Sequence, residues 1–204
     1  MSILLVRHGE TEGNAARIVQ LPDIPLSPVG MSQAEQLAAR LATVGATHIL
    51  CSDLMRARMT AAPIAARLGL LAETTPLLQE RNFGDLRGTP YAEFTTDPFA
   101  PDYVPVNGES WDVFHARVAE AFELVRARAS ETPGNLVVVT HGFVVRAIVQ
   151  RHVALGPDQV APEKFANAGL TVLDAEPPFR VQLLDSTSHL APVEEQRATT
   201  GGAV

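Results

Sequence analysis

Cysteine is nearly absent from this chain, and its scarcity excludes several kinds of chemistry. One residue, Cys51, in 204 positions rules out an internal disulfide and any zinc site built from several cysteines. It follows Ile49 and Leu50 and reads as a small buried hydrophobe in a reducing, cytoplasmic setting. Long apolar runs are missing too. No stretch approaches the roughly 18 residues that a spanning helix needs, and ILLV meets Arg7 too soon to form a signal-peptide core. Membrane is therefore not an expected partner. Basic charge is in deficit, with 16 Lys and Arg against 23 Asp and Glu and a net charge of −7. Such a chain offers no general attraction to nucleic acid. Any anionic ligand has to be held by a local cluster of cations.

What is present is ample core material. The hydrophobic share of 46% and the length fit one domain, expected over residues 1–185. The remainder, 186–204, has little to bury and reads as a flexible tail. No repeat or linker divides the chain. Short apolar runs alternate with amphipathic segments, which predicts an α/β fold: a three-layer α/β/α sandwich around a mostly parallel sheet. Strands are expected at Ser2–Val6, Thr47–Cys51, Leu136–Thr140, Leu170–Asp174 and Phe179–Leu184, the last two as an antiparallel hairpin at one edge.

Helices carry their own signals. Ser27-Pro28 starts one that runs toward Gly45, and Ser52 is expected to cap a second that ends at Gly69 with a kink at Pro63. Ser110 precedes a third, whose stripe of Trp111, Phe114, Val118, Phe122 and Val125 predicts a core-facing side. A fourth spans about Phe143 to Val153. Between Asn82 and Gly108 periodicity fails; that stretch, rich in Pro, Gly and aromatic residues, reads as a long functional excursion over the sheet edge.

The polar residues then fall into place. Arg7-His8, the turn from Ser52 to Arg56, and His141-Gly142 each follow a predicted strand directly. In open α/β sheets ligands bind beyond the carboxyl ends of the strands, so these turns converge. Helix starts near Ser52 and Gly142 add free N–H groups and positive dipole ends. Gly9 and Gly142 allow close approach by a ligand, and the arginines offer forked, permanently charged donors. The implied ligand is a phosphoryl group. Glu80 beside Arg81 could instead be half of a surface ion pair, and Arg81 and Arg87 could reach a substrate or only solvate their loop. His48, His115, His152 and His189 lack motif context and read as ordinary histidines.

The segments LVRHGETEGN, SDLMRARMTAA, LLQERNFGDLRG, GES and VVTHG, in this order, resemble the phosphoglycerate-mutase-like branch of the histidine phosphatase superfamily. Thr11 and Gly13 stand where the acid-phosphatase branch carries Arg and Pro. The resemblance implies that His8 is a nucleophile forming a phosphohistidine. It also implies that Arg7, Arg56 and His141 bind the phosphoryl oxygens and that Glu80 donates the proton to the leaving group. Gly9, Asn14, Gln20 and Gly142 would complete the substrate contacts. It implies a small phosphorylated substrate, no metal and no cofactor, and a monomer or homodimer.

Three functions stay open: a phosphomonoesterase, a cofactor-dependent phosphoglycerate mutase, and an inactive phospho-ligand-binding module. The mutases of this family carry extra Lys and paired Arg after the proton donor. Here Leu86–Ser110 has one cation, Arg87, beside Asp97, Asp102 and Glu109. That segment predicts a preference for neutral or bulky leaving groups, with Phe83, Tyr91, Phe94, Phe99 and Tyr103 forming a partly apolar cap.

Overall fold

The computed structural model describes residues 1–192. Six strands form one sheet: β1 (Ser2–Arg7), β2 (Ala46–Ser52), β3 (Ala72–Thr75), β4 (Asn135–Thr140), β5 (Leu170–Asp174) and β6 (Val181–Ser186). Their spatial order is β3-β2-β4-β1-β5-β6. The first four run parallel, β5 is antiparallel to β1, and β6 is antiparallel to β5. The mostly parallel sheet with an antiparallel edge hairpin is thus as expected. β3 was not anticipated, because its sequence AETT carries no apolar alternation; it is an edge strand paired only on one side.

Helices cover both faces. Ile3, Leu5, Leu136 and Val138 pack with Phe114, Val118 and Phe122 of α4 (Trp111–Glu131) and with Val144 and Ile148 of α5 (Gly142–Arg151). Leu4, Val6, Val137 and Val139 pack with Leu37 of α2 (Pro28–Leu41) and with Ala57 and Ile64 of α3 (Met55–Leu68). Successive strand residues point to opposite faces. A strand buried on both sides must therefore be apolar throughout, which is why ILLV and LVVV read as unbroken runs. Burying each such side chain contributes about 1.5–3 kcal/mol. No described helix is long and apolar enough to cross a membrane.

Several local expectations shift. Ser52 is the last residue of β2 and does not cap α3; Leu54 occupies that position, without a side-chain cap bond. Trp111 begins α4 at the end of the core stripe, packed on Phe114 and the core cluster, and also carries the Arg81 guanidinium on its ring. Phe179 precedes β6, with a left-handed backbone (φ 54°), and packs on Phe122. Of the segment 186–204, Ser186 ends β6, Leu190 packs against the α2/α3 side of the core, and His189 contacts the carbonyl of Ala168. Residues 193–204 lie outside the described residues.

The register fixes where the chemistry emerges. Arg7 of β1 pairs with Thr140 of β4, and Cys51 of β2 pairs with Val139 of β4. Three neighbouring parallel strands therefore end at one level, and the residues after them leave the sheet side by side.

Candidate active site

His8 is buried where β1 ends. Its Nδ1 lies 2.7 Å from the Gly9 carbonyl oxygen, which can only accept, so the ring proton sits on Nδ1. The lone pair of Nε2 is thereby left available, and Arg56 Nε donates to it at 3.3 Å. Burial, and then the charges of Arg56 and Arg7, hold the His8 pKa well below the ordinary histidine value, so the imidazole stays neutral. A neutral ring with a free nitrogen is the form a nucleophile requires.

Around it stand the other expected residues. Arg7 donates to the carbonyl of Phe165, while its Nε is buried without a partner. Arg56, in the first turn of α3, also donates to the carbonyl of Leu21 at 3.2 Å. His141 lies behind His8, with ring centroids 5.1 Å apart. Its Nε2 is 2.8 Å from the Ser52 hydroxyl, and its Nδ1 is buried and unpartnered. Asn14 Oδ1 accepts from Thr11 and from Asn167 Nδ2, which leaves its amide NH2 for the cavity that Asn14 lines. Gln20 also lines it, with Oε1 taken by the Thr11 hydroxyl at 2.9 Å.

The two glycines differ in what surrounds them. A Cβ on Gly9 would fall 2.6 Å from the carbonyl oxygen of Gly30, so Gly9 is required for packing against α2 and not for ligand approach. Gly142 does line the cavity, and a Cβ there would sit 3.3 Å from Arg7 Nε, within the space the guanidinium uses.

Glu80 forms no ion pair with Arg81. One carboxylate oxygen accepts from the backbone N–H of Arg81 at 3.0 Å and the other from Phe143 N–H at 3.2 Å, at the start of α5. Withdrawal from bulk water raises its pKa, against the pull of those two bonds and of Arg56 and Arg7. A carboxyl whose pKa is raised by burial, beside two arginines, is suited to give up a proton and take it back.

Arg7, His8, Asn14, Gln20, Arg56, Glu80 and Gly142 line a cavity of about 610 Å³, walled by Phe83, Tyr91, Phe99 and Phe143, whereas His141 and Gly9 are not part of its lining. Phe94 stacks behind Tyr91, and Tyr103 contributes only its carbonyl. Arg81 also borders the cavity, but its guanidinium is engaged by the cap. Buried, it donates to the carbonyls of Pro98, Tyr103 and Glu109 at 2.8–3.2 Å and lies over Trp111, 3.9 Å from the ring centre. Of the acids in that segment, Glu109 is held by Arg117 at 2.8 Å, and neither Asp97 nor Asp102 lines the cavity. Arg81→Met should therefore unpair three carbonyls at about 1 kcal/mol or more each and lower stability by about 3 kcal/mol. Arg87→Met, at a half-buried position without an ion pair, should change it little. Equal denaturation midpoints for the two variants would show that Arg81 does not hold the cap.

Comparison with known proteins decides the lineage. The profile of the histidine phosphatase superfamily, branch 1, matches residues 3–183. This chain belongs to that superfamily. Among curated relatives, phosphoglycerate mutase-like protein 4 of Arabidopsis thaliana is 33% identical, covering 98% of this chain and 91% of that protein. A "probable phosphoglycerate mutase" of Yersinia enterocolitica is 32% identical over 85% of each. Among solved structures, the alpha-ribazole phosphatase from Shigella flexneri superposes with a TM-score of 0.78 at 25% identity, covering 91% of this chain and 96% of that one. A mycobacterial glucosyl-3-phosphoglycerate phosphatase solved with VO3 gives 0.76 at 26%, covering 91% and 99%. In this histidine phosphatase, several supporting residues escaped the sequence reading. Asn167 ties Asn14 to the His8 carbonyl, Thr60 accepts from Gly9 N–H at 3.0 Å, and Ser52 holds His141. Only Asn167 carried a signal, as the polar residue opening a strand-forming run.

Proposed function

We propose that this histidine phosphatase hydrolyses a small phosphorylated substrate through a phosphohistidine on His8. The observation that carries this reading is the pair of buried, unpartnered polar atoms, Arg7 Nε and His141 Nδ1, beside the neutral His8. Buried polar groups are ordinarily satisfied, so such orphans mark where a ligand completes the site. Nε2 of His8 would form the bond to phosphorus as the phosphorus–ester oxygen bond breaks, and Glu80 would pass its proton to the departing oxygen. Arg7 and Arg56 would carry the charge of the transferring group. Water would then attack phosphorus, giving its proton to the Glu80 carboxylate, and the nitrogen–phosphorus bond would break to release phosphate.

The names of the relatives include mutases as well as phosphatases, so the fate of the phosphoryl group needs a direct measurement. With 3-phosphoglycerate, phosphorus NMR should show inorganic phosphate without any 2,3-bisphosphoglycerate priming. Accumulation of 2-phosphoglycerate with no free phosphate would instead establish transfer back to the substrate.

A further inference from the structure

A phosphate monoester is a dianion, and Arg7 and Arg56 already face it. The same cavity is lined by Arg81, whose donors are spent on three carbonyls, and by four further cations, Arg17, Arg87, Arg146 and Lys164, in a chain whose net charge is −7. None of the four forms an ion pair among the described residues. Three of them come from outside the cap. Arg17 follows α1 (Glu12–Ala15) with a left-handed backbone at φ 55°, where its guanidinium lies 5.9 Å from the centre of the Tyr91 ring. Arg146 lies in α5 and donates to the carbonyl of Glu163 at 3.3 Å, which places it beside Lys164. Partial burial, then the charges of Arg7 and Arg17, hold the Lys164 ammonium below its ordinary pKa. Glu163 is the one acidic residue besides Glu80 in this lining.

Like charges gathered without partners repel, and the repulsion is relieved when an anion enters. We infer that Arg17, Arg146 and Lys164 form a second anion subsite, which takes a carboxylate or second phosphoryl group on the leaving-group part of the substrate. This rests on the phosphatase reading above and narrows it to phosphomonoesters bearing two anionic groups. It reverses the expectation drawn from Leu86–Ser110 alone, since the cations arrive from other parts of the chain and two of that segment's acids, Asp97 and Asp102, stay off the wall.

The test compares phenyl phosphate with its 4-carboxy and 4-phosphonooxy derivatives on the wild type and on the triple variant Arg17→Gln, Arg146→Gln, Lys164→Gln. The wild type should favour at least one doubly anionic substrate in kcat/KM, and the triple change should cut that preference by about tenfold or more, as expected for lost hydrogen bonds to a charged group. The more favoured derivative identifies the second group as carboxylate or phosphoryl. No preference in the wild type, or a preference that survives the triple change, overturns the subsite. So does an equal loss on all three substrates that fades with added salt, which would mean that these cations only steer anions toward the site. Calorimetric binding of benzylphosphonate and 4-carboxybenzylphosphonate, with a phosphonate-bearing benzylphosphonate for the other group, reads the subsite without turnover. If the wild type hydrolyses none of the esters yet binds a doubly anionic phosphonate tighter, the phosphatase reading fails and the subsite stands; equal binding of the three phosphonates removes the subsite.

Discussion

Replacing His8 by alanine should lower turnover by at least roughly 10⁴-fold, the scale on which loss of a covalent nucleophile is felt. The reason lies in its bonding: Nδ1 is committed to the Gly9 carbonyl, which leaves the Nε2 lone pair, with only a 3.3 Å contact from Arg56, free to attack phosphorus. Brief mixing of the wild type with labelled substrate should leave an acid-labile, base-stable phosphoryl group on the protein. Trypsin cuts after Arg7 and Arg17, so the label should travel with the peptide from His8 to Arg17. Recovery on the peptide carrying His141 would reassign the nucleophile to the second buried histidine, 5.1 Å away. Substantial activity in the His8→Ala protein would remove the phosphohistidine altogether.

Glu80→Gln should cost roughly 10²–10⁴-fold with an alkyl phosphate and much less with p-nitrophenyl phosphate, whose leaving group scarcely needs a proton. Glutamine keeps the shape of the side chain and can still accept one of the two backbone N–H bonds, from Arg81 or from Phe143, while the transferable proton is lost. The pH profile supplies an independent reading. Because burial raises the Glu80 pKa, its acid form persists above the ordinary carboxylate range and is lost as pH rises through the raised value. Turnover of the alkyl ester should fall along that alkaline limb, and the limb should vanish in Glu80→Gln. The His8 pKa is lowered instead, so His8 protonation should limit the rate only toward acid pH. Equal losses on both substrates would make Glu80 a positioning residue.

Much of this was legible in advance because it depends on local or repeating patterns. Strands buried on both faces must be apolar at every position, so ILLV and LVVV could be read directly, and the residues that follow them had to leave at the carboxyl edge. β3 was invisible because an edge strand beside exposed Leu71 needs no apolar alternation. Ser52 was misread as a cap because the same hydroxyl that suits a helix start also suits a buried histidine, and only the pairing of β2 with β4 brings His141 within 2.8 Å.

The sequence by itself determined the α/β sandwich and the convergence of Arg7, His8, Arg56 and His141, since hydrophobic periodicity sets the strands and chain order sets which turns follow them. Only the tertiary structure decided what each polar side chain faces. Arg81 and Arg87 are alike in sequence context and both border the cavity, yet the guanidinium of Arg81 is consumed by three carbonyls and the Trp111 ring while Arg87 forms no ion pair among the described residues. Arg17, Arg146 and Lys164 carry no shared motif and meet because α5 and the segment before β5 pack across the sheet edge from the turn after α1. A charge acts through whatever lies within a few ångströms of it, and for residues this far apart in the chain that distance is set by packing, which no local pattern records.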